Sequence, residues 1–176
     1  DEIIDKLCSE HSFVKAVWLS RNFGQHAATL AGMASTRSEW VVTMDEDLQH
    51  DPIEIGNLLD KAVDGRADIV YGTDSKTKVH GLKRSLASRS AKIVAGILMG
   101  NSAPRNYSSF RLVDGSIARG VSAYVGEGVY LDVALGWITE RVLTCDVTNH
   151  FEFRNRSGYT LKKLFSHLLR LVLSNG

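Results

Sequence analysis

Apolar residues recur along the chain at helical spacing in some segments and in short runs in others, which predicts a succession of helices and strands. A strand, a helix and a strand follow one another between residues 40 and 73, an order typical of a parallel α/β sheet. The predicted helices cover residues 1–11, 25–36, 52–64, 82–99, a segment from 115, 130–137 and 160–173, and the predicted strands cover 13–19, 40–44, 67–73, 109–113 and 141–147. The pattern predicts one α/β domain over residues 1–176.

The third predicted helix has the clearest boundaries. Asp51 is expected to cap it, Pro52 occupies the first helical position and Glu54 stands three residues after the cap. Gly65 is expected to follow its end. Just before this helix, the apolar strand at residues 40–44 runs directly into acidic residues.

Those acids, in the sequence VVTMDEDLQHDP, suggest a cation site. Carboxylates crowded at a strand end repel one another unless a cation or hydrogen-bond donors neutralise them. Along an extended backbone Asp45 and Asp47 point the same way, and Gln49 continues the alternation. Two carboxylates and an amide oxygen suit Mg²⁺ or Mn²⁺. The alternative is a solvated surface turn, because acidic pairs of this kind also occur by chance.

Composition narrows the class of protein. The chain has 176 residues, 44% of them hydrophobic and 23% charged, which excludes disordered and fibrous classes. Cys8 and Cys145 fit neither a zinc pattern nor a disulfide framework. No apolar run reaches the ~18 residues of a membrane span, and the first residues do not resemble a signal peptide. We therefore expect this segment to be soluble.

Charge is distributed unevenly along the chain. Residues 1–74 carry 14 Asp and Glu against 6 Lys and Arg, whereas residues 75–113 carry 8 Lys and Arg and no acid. Residues 153–176 add five basic residues, again without an acid. If the fold brings acidic and basic segments together, they would make a site for a metal-bound polyphosphate or a phosphorylated acceptor. The alternative is that the basic segments form solvated faces.

Four motifs follow one another along the chain: RNFGQHAATLAGM at residues 21–33, MDEDLQHDP at 44–52, SSFRLVD at 108–114 and SGYTLKKL at 157–164. In this order they closely resemble family-2 glycosyltransferases, particularly the bacterial enzymes that move a sugar to a polyprenyl phosphate and are related to dolichol-phosphate mannosyltransferase. The resemblance implies a Rossmann-like GT-A fold with a mostly parallel central sheet flanked by helices. It also implies a nucleotide diphosphate sugar as donor, a divalent metal, and inversion at the anomeric carbon.

The resemblance also implies roles for individual residues. Asp45, Asp47 and Gln49 match the metal-binding motif. Gln25 and His26 match a turn that lines the donor pocket, although His26 could equally cap its own helix. Arg89 lies in a pattern that the family associates with the acceptor phosphate. Arg111 also matches a family position, although it could instead pair with a neighbouring carboxylate.

Two departures from the family pattern bear on the acceptor. Many members carry Asp just before the FRL strand, where this chain has Asn106 and Ser109. A phosphate acceptor is already anionic and needs little help from a base, so this difference favours a lipid phosphate, with Glu127 and Asp132 as alternative carboxylates. Before SGY, Glu152 and Asn155 replace the usual Arg and Gly, and Arg154 or Arg156 could substitute.

Family members begin with a strand and an acidic turn that hold the nucleotide base, and nothing here resembles them. We therefore expect a catalytic domain lacking its first strand and trimmed at both ends. Its expected place is the cytoplasmic face of a bacterial cell membrane, with residues 160–173 either approaching the membrane or covering the sheet. The expected partners are the donor and a lipid phosphate, without nucleic acid, and a homo-oligomer is left open. The rival hypothesis is a non-catalytic scaffold module.

Overall fold

The computed structural model describes residues 2–74, 107–125 and 130–148. The helices of these residues are α1 (Glu2–Glu10), α2 (Gln25–Ser35), α3 (Ile55–Gly65), α4 (Gly115–Tyr124) and α5 (Leu131–Ile138), and a 3₁₀ turn at Pro52–Glu54 precedes α3. The strands are β1 (Trp40–Thr43), β2 (Ile69–Asp74), β3 (Arg111–Asp114) and β4 (Val142–Val147). The predicted helices at 82–99 and 160–173, the site residue Arg89, and Asn106 and Glu127 lie outside the described residues.

The four strands form one sheet in the order β1-β3-β2-β4. β3 is antiparallel to both of its neighbours, while β2 and β4 are parallel, so β1, β2 and β4 all run in one direction. The predicted α/β class is confirmed, with three of the four strands parallel in direction. Because β3 lies between β1 and β2, its first residue stands beside the last residues of β1.

Apolar side chains leave the sheet alternately toward two cores, as the period of two in a strand requires. Ile69, Tyr71 and Val113 pack with residues of α2, α4 and α5 on one face. On the other face Val70 and Leu112 pack against α3. Helices therefore cover both faces of the sheet, so a functional site is expected at the polar ends of the strands.

The start of α3 follows the predicted chemistry, while its end differs. Asp51 accepts a hydrogen bond from the backbone N–H of Ile53 at 3.0 Å, as expected of a cap. At the other end, Arg66 takes the left-handed conformation with φ 49°, and Gly65 is the last helical residue. A Cβ on Gly65 would press into the Leu143 side chain of β4, so the glycine serves close packing rather than a helix cap.

The predicted strand at residues 13–19 is wrong. The segment is irregular, and Val17 and Trp18 are about half exposed. A strand is stable only when its backbone groups pair with a neighbour, and the sheet of the described residues contains only β1 to β4. The strand predicted to be buried at residues 40–44 exists, but β1 is half-buried. Within the described ranges, no helix has both the length and the apolar character needed to cross a bilayer.

Candidate functional site

A pocket of about 450 Å³ opens where four chain segments meet: the end of β1 and the starts of α2, β3 and α5. This volume is in the range of small-molecule sites. The lining residues are Gln25, His26, Ala28, Thr29, Thr43, Met44, Asp45, Glu46, Tyr107, Ser108, Ser109, Arg111 and Asp132. Four residues predicted from sequence therefore share one pocket: Gln25, His26, Asp45 and Arg111.

Asp45 is held at this pocket by donors from two different segments. Nε2 of Gln25 donates to its Oδ1 at 2.7 Å, and Oγ of Ser109 donates to its Oδ2 at 2.5 Å. Ser109 is fixed in turn, because the Thr43 hydroxyl donates to its backbone carbonyl at 2.6 Å. The carboxylate at the end of β1 is thus oriented by neutral hydrogen-bond donors.

Asp47 and Gln49 lie in the bend that follows β1 and are not among the residues lining the pocket. The Asp47 carboxylate accepts from the backbone N–H of Gln49 at 3.1 Å and from its Nε2 at 2.5 Å. Leu48 between them has φ 61°, an uncommon conformation for a residue with a side chain. The extended alternation expected through residues 45, 47 and 49 is therefore broken, because the strand ends at Thr43 and the chain bends.

The donor atoms near the pocket fit a hard divalent cation in their chemistry. Asp45 and Glu46 bring carboxylates to the lining, and Asp47 adds a third in the adjoining bend. Mg²⁺ commonly uses only one or two protein carboxylates and completes its shell with water and phosphate oxygens. Over residues 2–74, 107–125 and 130–148, no three His, Cys, Asp or Glu side chains converge. Gln49 directs its amide nitrogen, rather than its oxygen, to Asp47.

The start of α2 forms a second wall of the pocket. Its cap residue is Gly24, whose φ of 90° suits glycine, and the Gly24 carbonyl accepts from the N–H of Ala28 at 3.2 Å. No side chain of the cap residue satisfies the first N–H groups of this helix, and such an N-terminus favours anions. His26 lines the pocket with its ring edge-on to that of Tyr130, 4.9 Å between centroids.

Arg111 and Asp132 line the third side of the pocket, and both contact Tyr71, which is buried and is not among the lining residues. Nη1 of Arg111 donates to Oδ1 of Asp132, and the Tyr71 hydroxyl donates to the same oxygen at 2.8 Å. The guanidinium carbon of Arg111 lies 5.6 Å from the centre of the Tyr71 ring. This arrangement matches the alternative in which Arg111 pairs with a carboxylate. Among the described residues, nothing accepts from Nε of Arg111, which is buried.

Burial raises the pKa values of two neighbouring tyrosines, Tyr71 and Tyr107. It raises the pKa of Tyr71 far above the ordinary value, and the negative charge of Asp132 raises it further. The pKa of Tyr107 is raised by burial and then by Asp132 as well. The rings meet edge to face, with their centroids 5.5 Å apart. Both phenols therefore stay protonated at neutral pH, and Tyr71 acts as a donor to Asp132.

Sequence reasoning missed three residues that build this site: Tyr107 and Ser109, which line the pocket, and the buried Tyr71, which donates to Asp132. Tyr71 looks like an ordinary apolar residue of a buried strand, and Tyr107 stands in a segment without a predicted element. For Ser109 the sequence indicates only that a family aspartate is absent, and its hydrogen bond to Asp45 depends on strand pairing. Continuing the β1–β3 register from Thr43 opposite Arg111 places Asp45 opposite Ser109. That register is the signal that could have found the contact.

Comparison with curated proteins gives several relatives that share one name. Over 81 residues the chain is 41% identical to the undecaprenyl-phosphate 4-deoxy-4-formamido-L-arabinose transferase of Klebsiella pneumoniae (strain 342), covering 46% of this chain and 24% of the relative. Proteins with the same name from Pseudomonas aeruginosa (strain LESB58) and Aeromonas hydrophila subsp. hydrophila are 52% identical over 54 residues and 39% identical over 87 residues. These matches cover 31% and 49% of this chain, and 16% and 26% of those relatives.

The aligned segments thus span about a quarter or less of the length of these curated relatives. Undecaprenyl phosphate is a polyprenyl phosphate, so the predicted resemblance to bacterial polyprenyl-phosphate glycosyltransferases is confirmed. The model of glycosyl transferase family 2 matches residues 1–123, which is more than half of the chain. The chain therefore belongs to glycosyl transferase family 2.

Proposed function

We propose that the protein transfers a sugar from a nucleotide diphosphate sugar to a polyprenyl phosphate, with inversion and with the help of Mg²⁺ or Mn²⁺. The observation that carries the proposal is the meeting of Asp45, the N-terminus of α2 and Arg111 in one pocket. The names of the relatives support the acceptor class. We place the reaction in bacterial cell-envelope glycan synthesis at the cytoplasmic membrane face, with residues 1–176 in one catalytic domain.

The donor half of the site is assigned to the end of β1 and the start of α2. Asp45 and Asp47 would hold the cation, and Gln49 would join them once its amide turns its oxygen outward. A bound cation would supply positive charge beside the diphosphate, which stabilises the charge on the departing nucleotide. Gln25 orients Asp45 through its hydrogen bond, while His26 and the first N–H groups of α2 face the donor.

The acceptor half is assigned to Arg111 and Arg89. Arg111 lines the pocket, but its charge is balanced by Asp132, which weakens its attraction for a phosphate. We therefore assign Arg111 the positioning of the acceptor and assign the main phosphate contact to Arg89, which lies outside the described residues. A lipid phosphate would also explain why a neutral Ser109 is tolerated where many members of the family carry an acid, since an anionic acceptor needs little help from a base.

The test compares the intact protein with its Asp47→Ala variant. Nucleotide sugars are titrated with and without Mn²⁺, and transfer to undecaprenyl phosphate is measured with the best donor. We expect Asp47→Ala to lower metal-dependent transfer about 100-fold or more, as loss of transition-state charge stabilisation commonly does. Asp60→Ala, an exposed aspartate of α3, is the matched control and should behave like the wild type.

Unchanged turnover of Asp47→Ala would contradict the metal assignment. A wild-type protein with no metal-linked affinity for any donor would instead favour a scaffold without catalysis. The two outcomes differ because the first leaves donor binding intact in both proteins.

A second candidate, transfer to a glycan hydroxyl, is favoured by the place of Asp132. Tyr71 and Arg111 both donate to Oδ1 of Asp132, and no described residue donates to its Oδ2, so the carboxylate has an oxygen with which to accept a proton from a hydroxyl. Asp132→Asn distinguishes the two acceptors. It should abolish transfer to a hydroxyl because the base is lost, and it should leave transfer to a phosphate within about tenfold.

A further inference from the structure

We propose that Ser109 is a positioning residue that sets the orientation and affinity of the cation-binding carboxylate of Asp45. The inference rests on the proposed function, since it assigns Asp45 to the cation. From the sequence alone, Ser109 is a position where the aspartate of many family members is absent, and no role is predicted for the serine itself.

The first support is the geometry of strand pairing. β1 and β3 are antiparallel, and their register places Thr43 opposite Arg111. Continued two residues beyond the end of β1 and two residues before the start of β3, the same register brings Asp45 opposite Ser109 at the pocket end of the sheet. Facing residues of an antiparallel pair lie about 5 Å apart between Cβ atoms, within the reach of two short side chains. Oγ of Ser109 accordingly lies 2.5 Å from Oδ2 of Asp45.

The second support is that Ser109 is itself held firmly. The Thr43 hydroxyl donates to its carbonyl at 2.6 Å, and the next residue, Phe110, is fully buried in the core under α3. The backbone carbonyl of Phe110 accepts from the N–H of Gly72 at 2.9 Å. The hydroxyl of Ser109 therefore extends from a fixed backbone, which is what a group that orients another must have.

The third support is the division of donors on Asp45. Gln25 takes one oxygen and Ser109 takes the other, and each carboxylate oxygen can accept more than one bond. Each oxygen thus keeps capacity for a cation while its direction is set. Because Ser109 is neutral, it adds no second negative charge opposite Asp45. An aspartate there would repel Asp45 in the absence of a cation.

The test measures Mn²⁺ binding to the intact protein by electron paramagnetic resonance, without donor. Outer hydrogen-bond partners of metal ligands typically change affinity 10–100-fold, and we expect Ser109→Ala to weaken Mn²⁺ binding about tenfold. Ser109→Thr keeps the hydroxyl and should restore most of the loss. Ser122→Ala is the matched control, because Ser122 only donates to the carbonyl of Ala118 within α4, and it should bind like the wild type.

Wild-type affinity in Ser109→Ala, or equal weakness in Ser109→Thr, would overturn the inference. If the wild type itself binds no Mn²⁺, the metal dependence of the proposed function fails, and a double-mutant cycle then decides the positioning role. Urea unfolding of Ser109→Ala, Asp45→Asn and the double variant should give non-additive shifts of the midpoint, because the two side chains are in contact. Additive shifts would overturn the positioning contact without reference to a metal.

Discussion

Two arginine–aspartate pairs lie at opposite ends of the same sheet and are built differently. At the pocket end, the side chains of Arg111 and Asp132 are 6% and 17% exposed. At the other end, the Arg141 side chain is 69% exposed, while that of its partner Asp68 is 11% exposed. The two pairs thus differ mainly in the burial of the arginine: the Arg111 side chain is shielded from water, whereas the Arg141 side chain is exposed.

The pairs also differ in how completely their atoms are matched. Arg141 donates from Nε and Nη2 to the two oxygens of Asp68, and the Thr139 hydroxyl adds a third donor. In the pocket pair, Arg111 and Tyr71 both donate to one oxygen of Asp132, and within the described residues Nε of Arg111 has no acceptor.

The Arg141–Asp68 pair, with its fuller set of hydrogen bonds, has a clear structural role. The matched pair secures the starts of β2 and β4, where the Asp68 N–H also donates to the Arg141 carbonyl at 2.8 Å. The pocket pair is desolvated and incompletely satisfied, an arrangement that is costly for stability alone. Because Arg111 and Asp132 both line the pocket, we interpret the pocket pair as shaped by binding.

The largest expected effect comes from removing the buried arginine. Arg111→Ala leaves Asp132 as an uncompensated charge with little access to water, and breaking a buried pair in this way costs about 3–5 kcal/mol. Urea unfolding monitored by circular dichroism measures the loss. The control is Arg111→Met combined with Asp132→Asn, which removes both charges and should recover much of the stability. A double variant as unstable as Arg111→Ala would show that lost packing, rather than the lone charge, is the cause.

A smaller effect is expected at Asp114, whose backbone N–H donates to the Asp68 carbonyl near the structural pair. Asp114 caps α4 by accepting from the N–H groups of Ser116 and Ile117. Asp114→Ala should cost about 1 kcal/mol, the usual value for a lost cap, whereas Asp114→Asn should keep most of it. Thermal unfolding at neutral pH measures both variants.

The lowered pKa of Asp114 predicts that its contribution to stability depends on pH. Burial raises the pKa of Asp114, but the hydrogen bonds from Ser116 and Ile117 outweigh burial, so its pKa lies below the ordinary 3.8. A carboxyl with a lowered folded pKa contributes stability above its unfolded pKa, and this is lost as the pH falls through the folded pKa. The advantage of the wild type over Asp114→Ala should therefore be constant near neutral pH and shrink below about pH 4. A constant advantage down to pH 2 would contradict this assignment.

Local signals predicted much of what surrounds these pairs. The cap at Asp51 and the helical spacing after Gly115 and Tyr130 depend on residues close in sequence, and the corresponding helices are present. The motifs also indicated Gln25, His26, Asp45 and Arg111 as site residues, and the fold brings these four to one pocket. Short-range patterns and motif order were sufficient for these features.

The missed features depend on contacts between distant residues. An apolar run such as residues 13–19 becomes a strand only if another strand pairs with it, and no local pattern reveals this. Ser109 and Asp45 are 64 residues apart and meet only through the β1–β3 register. Asp47 is separated from the pocket because the chain bends there, with Leu48 at positive φ. The alternation of side chains in the sequence does not indicate this backbone conformation.

The smallest effect is expected at Arg141, and it sharpens the comparison most directly. Hydrogen bonding to Asp68, and then the negative charge of Asp68, raises the pKa of Arg141. In Arg141→Gln an exposed guanidinium is removed, and the Asp68 carboxylate still accepts a hydrogen bond from the Thr139 hydroxyl, so it is not left without a donor. Arg141→Gln should therefore destabilise less than either earlier change, and 1 M NaCl should reduce the difference because salt screens exposed charges. Arg111→Ala should keep its full effect in the same salt. Urea unfolding of both variants at low and high salt tests this, and an equal, salt-independent loss at the two arginines would remove burial as the property that distinguishes the pairs.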